Sequence, residues 1–335
     1  MDSQAGVIGL GLMGTSISAC LLAAGYRVVG IDTDAHKRGS ARRRVSALLG
    51  EMRKEGLLRK AVAPLLERFE ATVDYGKLAG SGIVIEAIIE NEKSKRELVR
   101  RVEAVVGPET IIGCNTSAIP VGKLQRGLRH PERVLAIHWA EPAHVTRFME
   151  IICGESTSME VAERVMEMAR GWSKEPTLVR RDIRGFVTNR CFYALIREAL
   201  FLVEHGYATV ADVDRSLRND LGYWMTLAGP FRFMDLTGIP AYAAVAKDLF
   251  PELDASHKVS PVLSRMARSG AKGVANARGF YSYTPAQARR WQELFLKFSY
   301  EIRALALQYP EDIGDRPARK ARKAKQRGKD GNQTS

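Results

Sequence analysis

A doubly wound, mainly parallel α/β sheet with an inserted helical hairpin, followed by an all-α C-terminal domain, is the fold class that three features of this 335-residue sequence predict. Six short apolar runs, AGVIGL, YRVVGID, GIVIEAI, TIIGCN, RVLAIH and FMEIIC, alternate with helix-like stretches through the first half. The first run carries Gly9, Gly11 and Gly14 in GxGxxG spacing, and the second ends on Asp32, 23 residues past Gly9. From Gly185 onward one helical pattern follows another. Alternation of strand and helix gives a parallel sheet covered on both faces, and the glycine turn makes it Rossmann-type.

Taken in chain order, the first strand begins near Ala5 and runs into a helix over Met13–Ala24. Gly9 permits the tight turn, Gly11 lets backbone N–H groups approach a pyrophosphate, and Gly14 lets the helix pack closely on its strand. Leu12 and Met13 complete this cofactor-binding turn, whose helix N-terminus faces the phosphates. A carboxylate at Asp32 accepts from both ribose hydroxyls and repels a 2′-phosphate, so the expected cofactor is NAD rather than NADP. About 50 residues separate the second run from the third, too many for one crossover, and residues 35–72 are read as an inserted helical hairpin. Nine basic residues lie between Lys37 and Lys60, among them Arg42, Arg43, Arg44, Arg53 and Lys54, against Glu51 and Glu55. They form either a solvated helix face or a dock for a polyanionic ligand. The remaining runs complete an NAD-binding domain over residues 1–183, with a last short strand in LVRRDIRGF running into Gly185. An all-helical domain is expected over 184–309, including a capped helix that begins at Thr209.

Composition narrows the class. A hydrophobic content of 45% supports two ordinary cores. No run of 18 apolar residues occurs, and the early first strand leaves no room for a signal peptide, so a cytoplasmic protein without a membrane partner is expected. Of the formal charge of +13, eight basic residues fall between Arg316 and Lys329 with no acid among them, leaving +5 for the rest. Residues 310–335 are therefore read as a disordered basic tail, and a nucleic-acid role is disfavoured. Cys20, Cys114, Cys153 and Cys191 lie far apart without CxxC spacing and are read as buried free thiols.

Oxidation of an alcohol needs a group that removes the hydroxyl proton at neutral pH, and histidine suits that task. Only His138 directly ends an apolar strand, the place where such sheets bind ligands. Glu150, twelve residues on, lies in the apolar run FMEIIC, where a carboxylate requires a partner. A His138–Glu150 dyad supplies one, the acid fixing the imidazole tautomer and stabilising its charged form. A metal on His138, Glu141 and His144 is disfavoured, because Pro142 interrupts any helix that would align them and the spacing matches no zincin pattern.

Over about residues 5–305 the chain resembles the 3-hydroxyacyl-CoA dehydrogenases, including the 3-hydroxybutyryl-CoA enzymes. The likeness rests on VIGLGLMG, IEAIIENEKSK, CNTSAIP, AIHWAEP followed by RFMEII, RGFVTNR, AGPFRFMDLTG and ARGFYSY. The resemblance implies NAD as cofactor, with Glu90, Lys95 and Asn115 among the cofactor-contacting residues beside Asp32. It implies that Ser117 touches cofactor and substrate, that His138 and Glu150 are the catalytic dyad, and that Asn189 meets the substrate carbonyl. It further implies an acyl-CoA substrate held partly by the basic hairpin, and a homodimer formed by the helical domain. Two departures bear on substrate. Glu141 stands where the family has asparagine, exchanging a group that donates and accepts for one that, when ionised, only accepts. The spacing of LGYWMTLAGPF resembles the gulonate and carnitine dehydrogenase branch, but Trp224 replaces an arginine of that branch. A CoA-free hydroxy acid is therefore the alternative substrate.

Overall fold

In the computed structural model, which describes residues 3–309, β1 (Gln4–Ile8) stands third in one eight-stranded sheet. β2 (Arg27–Ile31) and β3 (Phe69–Thr72) lie to one side of it. On the other side follow β4 (Ser81–Glu86), β5 (Ile111–Cys114), β6 (Val134–Trp139), β7 (Phe148–Cys153) and β8 (Glu175–Val179). Only the β6–β7 pair is antiparallel. The strand order reverses at β1 and β4, which opens a crevice at their C-terminal ends. Such strands are buried on both faces, and this is why they read as continuous apolar runs. The basic tail expected over 310–335 lies outside the described residues.

α1 (Leu12–Ala23), α2 (Ala35–Lys54), α3 (Val62–Leu66) and α6 (Met159–Gly171) cover one face, where Ile17, Leu21, Val45, Leu49, Trp139 and Val165 join one core. α4 (Glu92–Glu103) and α5 (Val121–Gln125) cover the other, around Val99, Val102 and Leu124. Trp139 stacks on Trp172 at 5.6 Å, fixing the end of β6 against the turn after α6.

The hairpin differs from expectation. Its first arm is the 20-residue α2, but its second is the five-residue α3, and the last residues of the span expected to be helical form the edge strand β3. Phe69 and Thr72 pair in register with Val28 and Ile31, so a strand four residues long is stabilised by its neighbour rather than by its own pattern. β8 likewise ends at Val179, earlier than the strand expected to run into Gly185. Residues Gly185 and Phe186 instead adopt φ of +83° and +53°, turning the chain into the next helix.

That helix is α7 (Thr188–Glu204), and α8 (Val210–Asn219), α9 (Leu221–Met225), α10 (Pro230–Thr237), α11 (Ile239–Leu249) and α12 (Pro261–Arg268) follow it. In the single chain none of the residues of α7, α10 or α11 is buried. Phe192, Tyr193, Phe231, Leu236, Val245 and Phe250 all lie exposed. Cys191 shares that exposure, unlike the buried Cys20, Cys114 and Cys153, so the expectation of four buried thiols is corrected at this position. α13 (Pro285–Ala306) begins at a capping box between Thr284 and Gln287 and folds back on the sheet domain, burying Ala288 and Tyr300. Among the described residues no helix is long and apolar enough to cross a membrane.

Candidate active site

At the phosphate turn each glycine has a steric reason. A Cβ on Gly9 would lie 2.5 Å from the Ala87 carbonyl oxygen, and one on Gly14 would lie 1.7 Å from the Gly9 carbonyl oxygen. A Cβ on Gly11 would meet nothing within 4 Å, because it projects into the open space before α1 that a pyrophosphate requires. Leu12 is exposed and Met13 half-buried at this mouth. Asp32 directly follows β2 with its side chain already oriented, Oδ2 accepting from the Leu10 amide at 2.8 Å and Oδ1 from the Asp34 amide at 2.9 Å. The cradle therefore fits the adenosine half of NAD.

Across the crevice, β6 and β7 place His138 directly opposite Glu150 in antiparallel register. His138 Nδ1 lies 2.9 Å from Glu150 Oε2, and both side chains are buried. Glu150 Oε1 accepts from the amides of Val187 at 3.1 Å and Thr188 at 2.9 Å, the first amides of α7. Burial alone would raise the Glu150 carboxyl, but hydrogen bonds from His138, Thr188 and Val187 outweigh it and hold the group below the usual carboxylate range. An ionised Glu150 accepts only, so the proton between the pair sits on Nδ1 and leaves Nε2 with a free lone pair. Phe148 and Phe186 meet the imidazole edge-on at 5.4 and 5.5 Å, restricting its ring. Neither phenylalanine was singled out in the sequence, where both resemble ordinary core residues.

The remaining residues arrive from two turns. Asn189, in the first turn of α7, donates Nδ2 to the Ser117 carbonyl at 3.0 Å and so joins the helical domain to the turn after β5. Ser117 is exposed at that turn. Glu90 Oε1 accepts from Thr116 Oγ1 at 2.5 Å and from the amides of Ser117 and Ala118 at 2.9 and 3.2 Å, fixing the turn from below. Its carboxyl lies below the usual range because these bonds and Lys95 overcome desolvation. Asn115 Oδ1 accepts from the Trp139 amide at 3.2 Å, tying β5 to β6.

Lys95, which the family resemblance implies as a cofactor contact, is 0% exposed. Its ammonium donates to both Glu86 oxygens, at 2.7 and 2.8 Å, and to the Asn115 carbonyl at 2.9 Å, so it braces the site from within. Burial pushes the Glu86 carboxyl up to about 7, Lys95 opposing that rise. A lysine four residues into a polar helix start reads as exposed, and nothing local in the sequence reveals the acid nine positions earlier that buries it.

A cavity of about 1090 Å³ opens from Ser117 and Asn189 along α7, with Arg184, Arg190, Arg197 and Lys258 among its walls. Glu141 is exposed in the loop directly after β6. Trp224 stacks face to face on Phe233 at 4.0 Å.

Comparison with known proteins adds the following. A family model described as 3-hydroxyacyl-CoA dehydrogenase, NAD binding domain, matches residues 4–183, and one described as 3-hydroxyacyl-CoA dehydrogenase, C-terminal domain, matches residues 185–283. The 5-formyl-3-hydroxy-2-methylpyridine 4-carboxylate 5-dehydrogenase of Mesorhizobium japonicum is 32% identical over 287 residues, covering 85% of this chain and 92% of its own. A solved structure of a dehydrogenase of the same name, described as an NAD+-dependent dismutase, superposes with a TM-score of 0.85 at 29% identity. It covers 92% of this chain and 100% of its own. The (S)-3-hydroxybutyryl-CoA dehydrogenase of Ralstonia eutropha gives a TM-score of 0.71 at 27% identity, covering 85% of this chain and 100% of its own.

Proposed function

Because the chain belongs to the 3-hydroxyacyl-CoA dehydrogenase family of NAD-dependent oxidoreductases, we propose that His138 and Glu150 form its proton-handling dyad and that Ser117 and Asn189 position the reacting oxygen. The observation that carries this reading is the 2.9 Å contact between His138 Nδ1 and an ionised Glu150. NAD, when bound, supplies the hydride acceptor. His138 Nε2 takes the hydroxyl proton as the C–H bond breaks, and Glu150 stabilises the imidazolium that results. In the reverse direction the imidazolium returns that proton to the carbonyl oxygen. Ser117 Oγ and the Asn189 amide hold that oxygen where its charge develops.

Family membership supports an L-3-hydroxyacyl-CoA and its 3-oxo counterpart as substrates, and with them a role in fatty acid metabolism. A second reading, a CoA-free hydroxy or carbonyl acid, is supported by the higher TM-score against the pyridine carboxylate dehydrogenase. Purified protein mixed with NADH and acetoacetyl-CoA, and in parallel with NAD and a panel of free 3-hydroxy acids, sugar acids and hydroxypyridine carboxylates, separates the two. Absence of any absorbance change at the nicotinamide band with either class, at every substrate concentration tested, overturns the hydride-transfer reading. The exposed apolar residues of α7, α10 and α11 support a homodimer in which the helical domain is completed by a second copy.

A further inference from the structure

We propose that Arg197 is a specificity-determining residue, and that the cavity along α7 takes a substrate bearing a free carboxylate several carbons from its reacting carbon. This rests on the roles of Ser117 and Asn189 given above and names the class of substrate they receive. Two sources share that chemistry: a coenzyme A thioester whose acyl chain ends in a carboxylate, and a carboxylic acid free of any carrier.

The cavity follows one side of α7. From Asn189 its floor continues through Tyr193, Ile196 and Leu200, spaced four, three and four residues apart and so stacked on one helix face. Beyond its polar first residue this floor suits a carbon chain. Arg190 and Arg197 run beside it on a common flank, seven residues and therefore two turns apart. Arg197 stands about 12 Å along the axis from Asn189. That separation lets it meet the far end of a molecule whose oxygen is held at Ser117.

Charge on the wall is one-sided. Arg184, Arg190, Arg197 and Lys258 all line the cavity, and among the described residues none of them forms an ion pair. The acids nearby are engaged elsewhere. Glu204 Oε1 accepts from the Ser260 hydroxyl and from the Val262 amide at 3.2 Å, and Glu198 Oε2 accepts from the Asp254 amide at 2.9 Å. Asp254, whose charge reaches Arg197, accepts instead from the Ser256 amide at 2.8 Å and the Ser256 hydroxyl at 2.9 Å. Arg190 donates to the Arg184 carbonyl at 3.5 Å, which commits it to the turn before α7. Arg197 has no hydrogen-bond partner among the described residues. A concave wall of uncompensated cations gathers an anion, and a free guanidinium fork matches the two oxygens of a carboxylate.

Isothermal titration of the NADH-loaded full chain with compounds that lack a 3-hydroxyl tests binding apart from turnover. One arm compares adipyl-CoA with hexanoyl-CoA and the other adipate with its monomethyl ester, so each pair differs in whether the far end carries a carboxylate. The carboxylate-bearing member is expected to bind tighter by roughly tenfold or more in at least one arm, the gain of a charge-assisted hydrogen bond, and the arm identifies the source. Arg197→Met is expected to shrink that preference to within about twofold, and Arg197→Lys to keep part of it. Arg197 is exposed, so neither substitution leaves a buried group unpaired. Equal affinity within both pairs overturns the proposal, as does a preference that survives Arg197→Met or a lack of saturable binding by all four compounds. Reduction of NAD by 3-hydroxyadipyl-CoA and by 3-hydroxyadipate is followed separately, so a silent enzyme there rejects the hydride-transfer reading while the binding result stands.

Discussion

At the scale of single residues, the approach of His138 to Glu150 was legible before any coordinates, because a histidine ending one apolar run and a carboxylate inside the next require each other. The antiparallel register that makes them directly opposed was not legible, since it depends on the loop between β6 and β7. His138→Ala is expected to lower turnover by roughly 10²–10⁴-fold with NAD affinity nearly kept, measured by steady-state rates beside NADH fluorescence titration. Asp32→Ser should weaken NAD and relax discrimination against NADP, and an unchanged preference ratio would contradict the ribose role. Glu150 also gives stability a defined pH dependence. Its folded pKa is depressed, so its contribution is present above the ordinary carboxylate range and is lost as pH falls through the folded value. Melting of Glu150→Gln should consequently vary less with pH below about 4.3 than that of the parent.

At the scale of elements, the glycine turn and the central strands were legible because each local choice agrees with the fold: apolar runs where strands are doubly buried, glycines where backbones touch. β3 and the short α3 were not, because a four-residue edge strand has no pattern of its own and exists through its pairing with β2. The burial of Lys95 on α4 is not legible for a related reason: its environment is set by β4 and β5, not by its neighbours in sequence. Removing one partner of a buried ion pair leaves the other charge uncompensated. Lys95→Met should therefore destabilise the protein by about 3–5 kcal/mol in urea unfolding. Glu86→Gln in the same background should recover part of that loss, which a purely surface lysine would not show.

At the scale of the whole molecule, the sequence announced an all-α region but not how little of it is covered within one chain. Phe231 and Val245 are 78% and 58% exposed, far more than a free-standing helical domain tolerates in one patch. Light scattering should report a dimer, and Phe231→Glu should shift it toward monomer at micromolar concentration. A monomeric parent at all concentrations would remove that assignment. The two oxygens of Glu150 have a different consequence. One orients His138 and the other holds the opening amides of α7, so one side chain ties the imidazole to the helical domain. The arrangement is an interlock: a single carboxylate spans the sheet domain and the helical domain, so under the proposed dyad any substitution that loosens the start of α7 is expected to slow turnover without touching the imidazole itself.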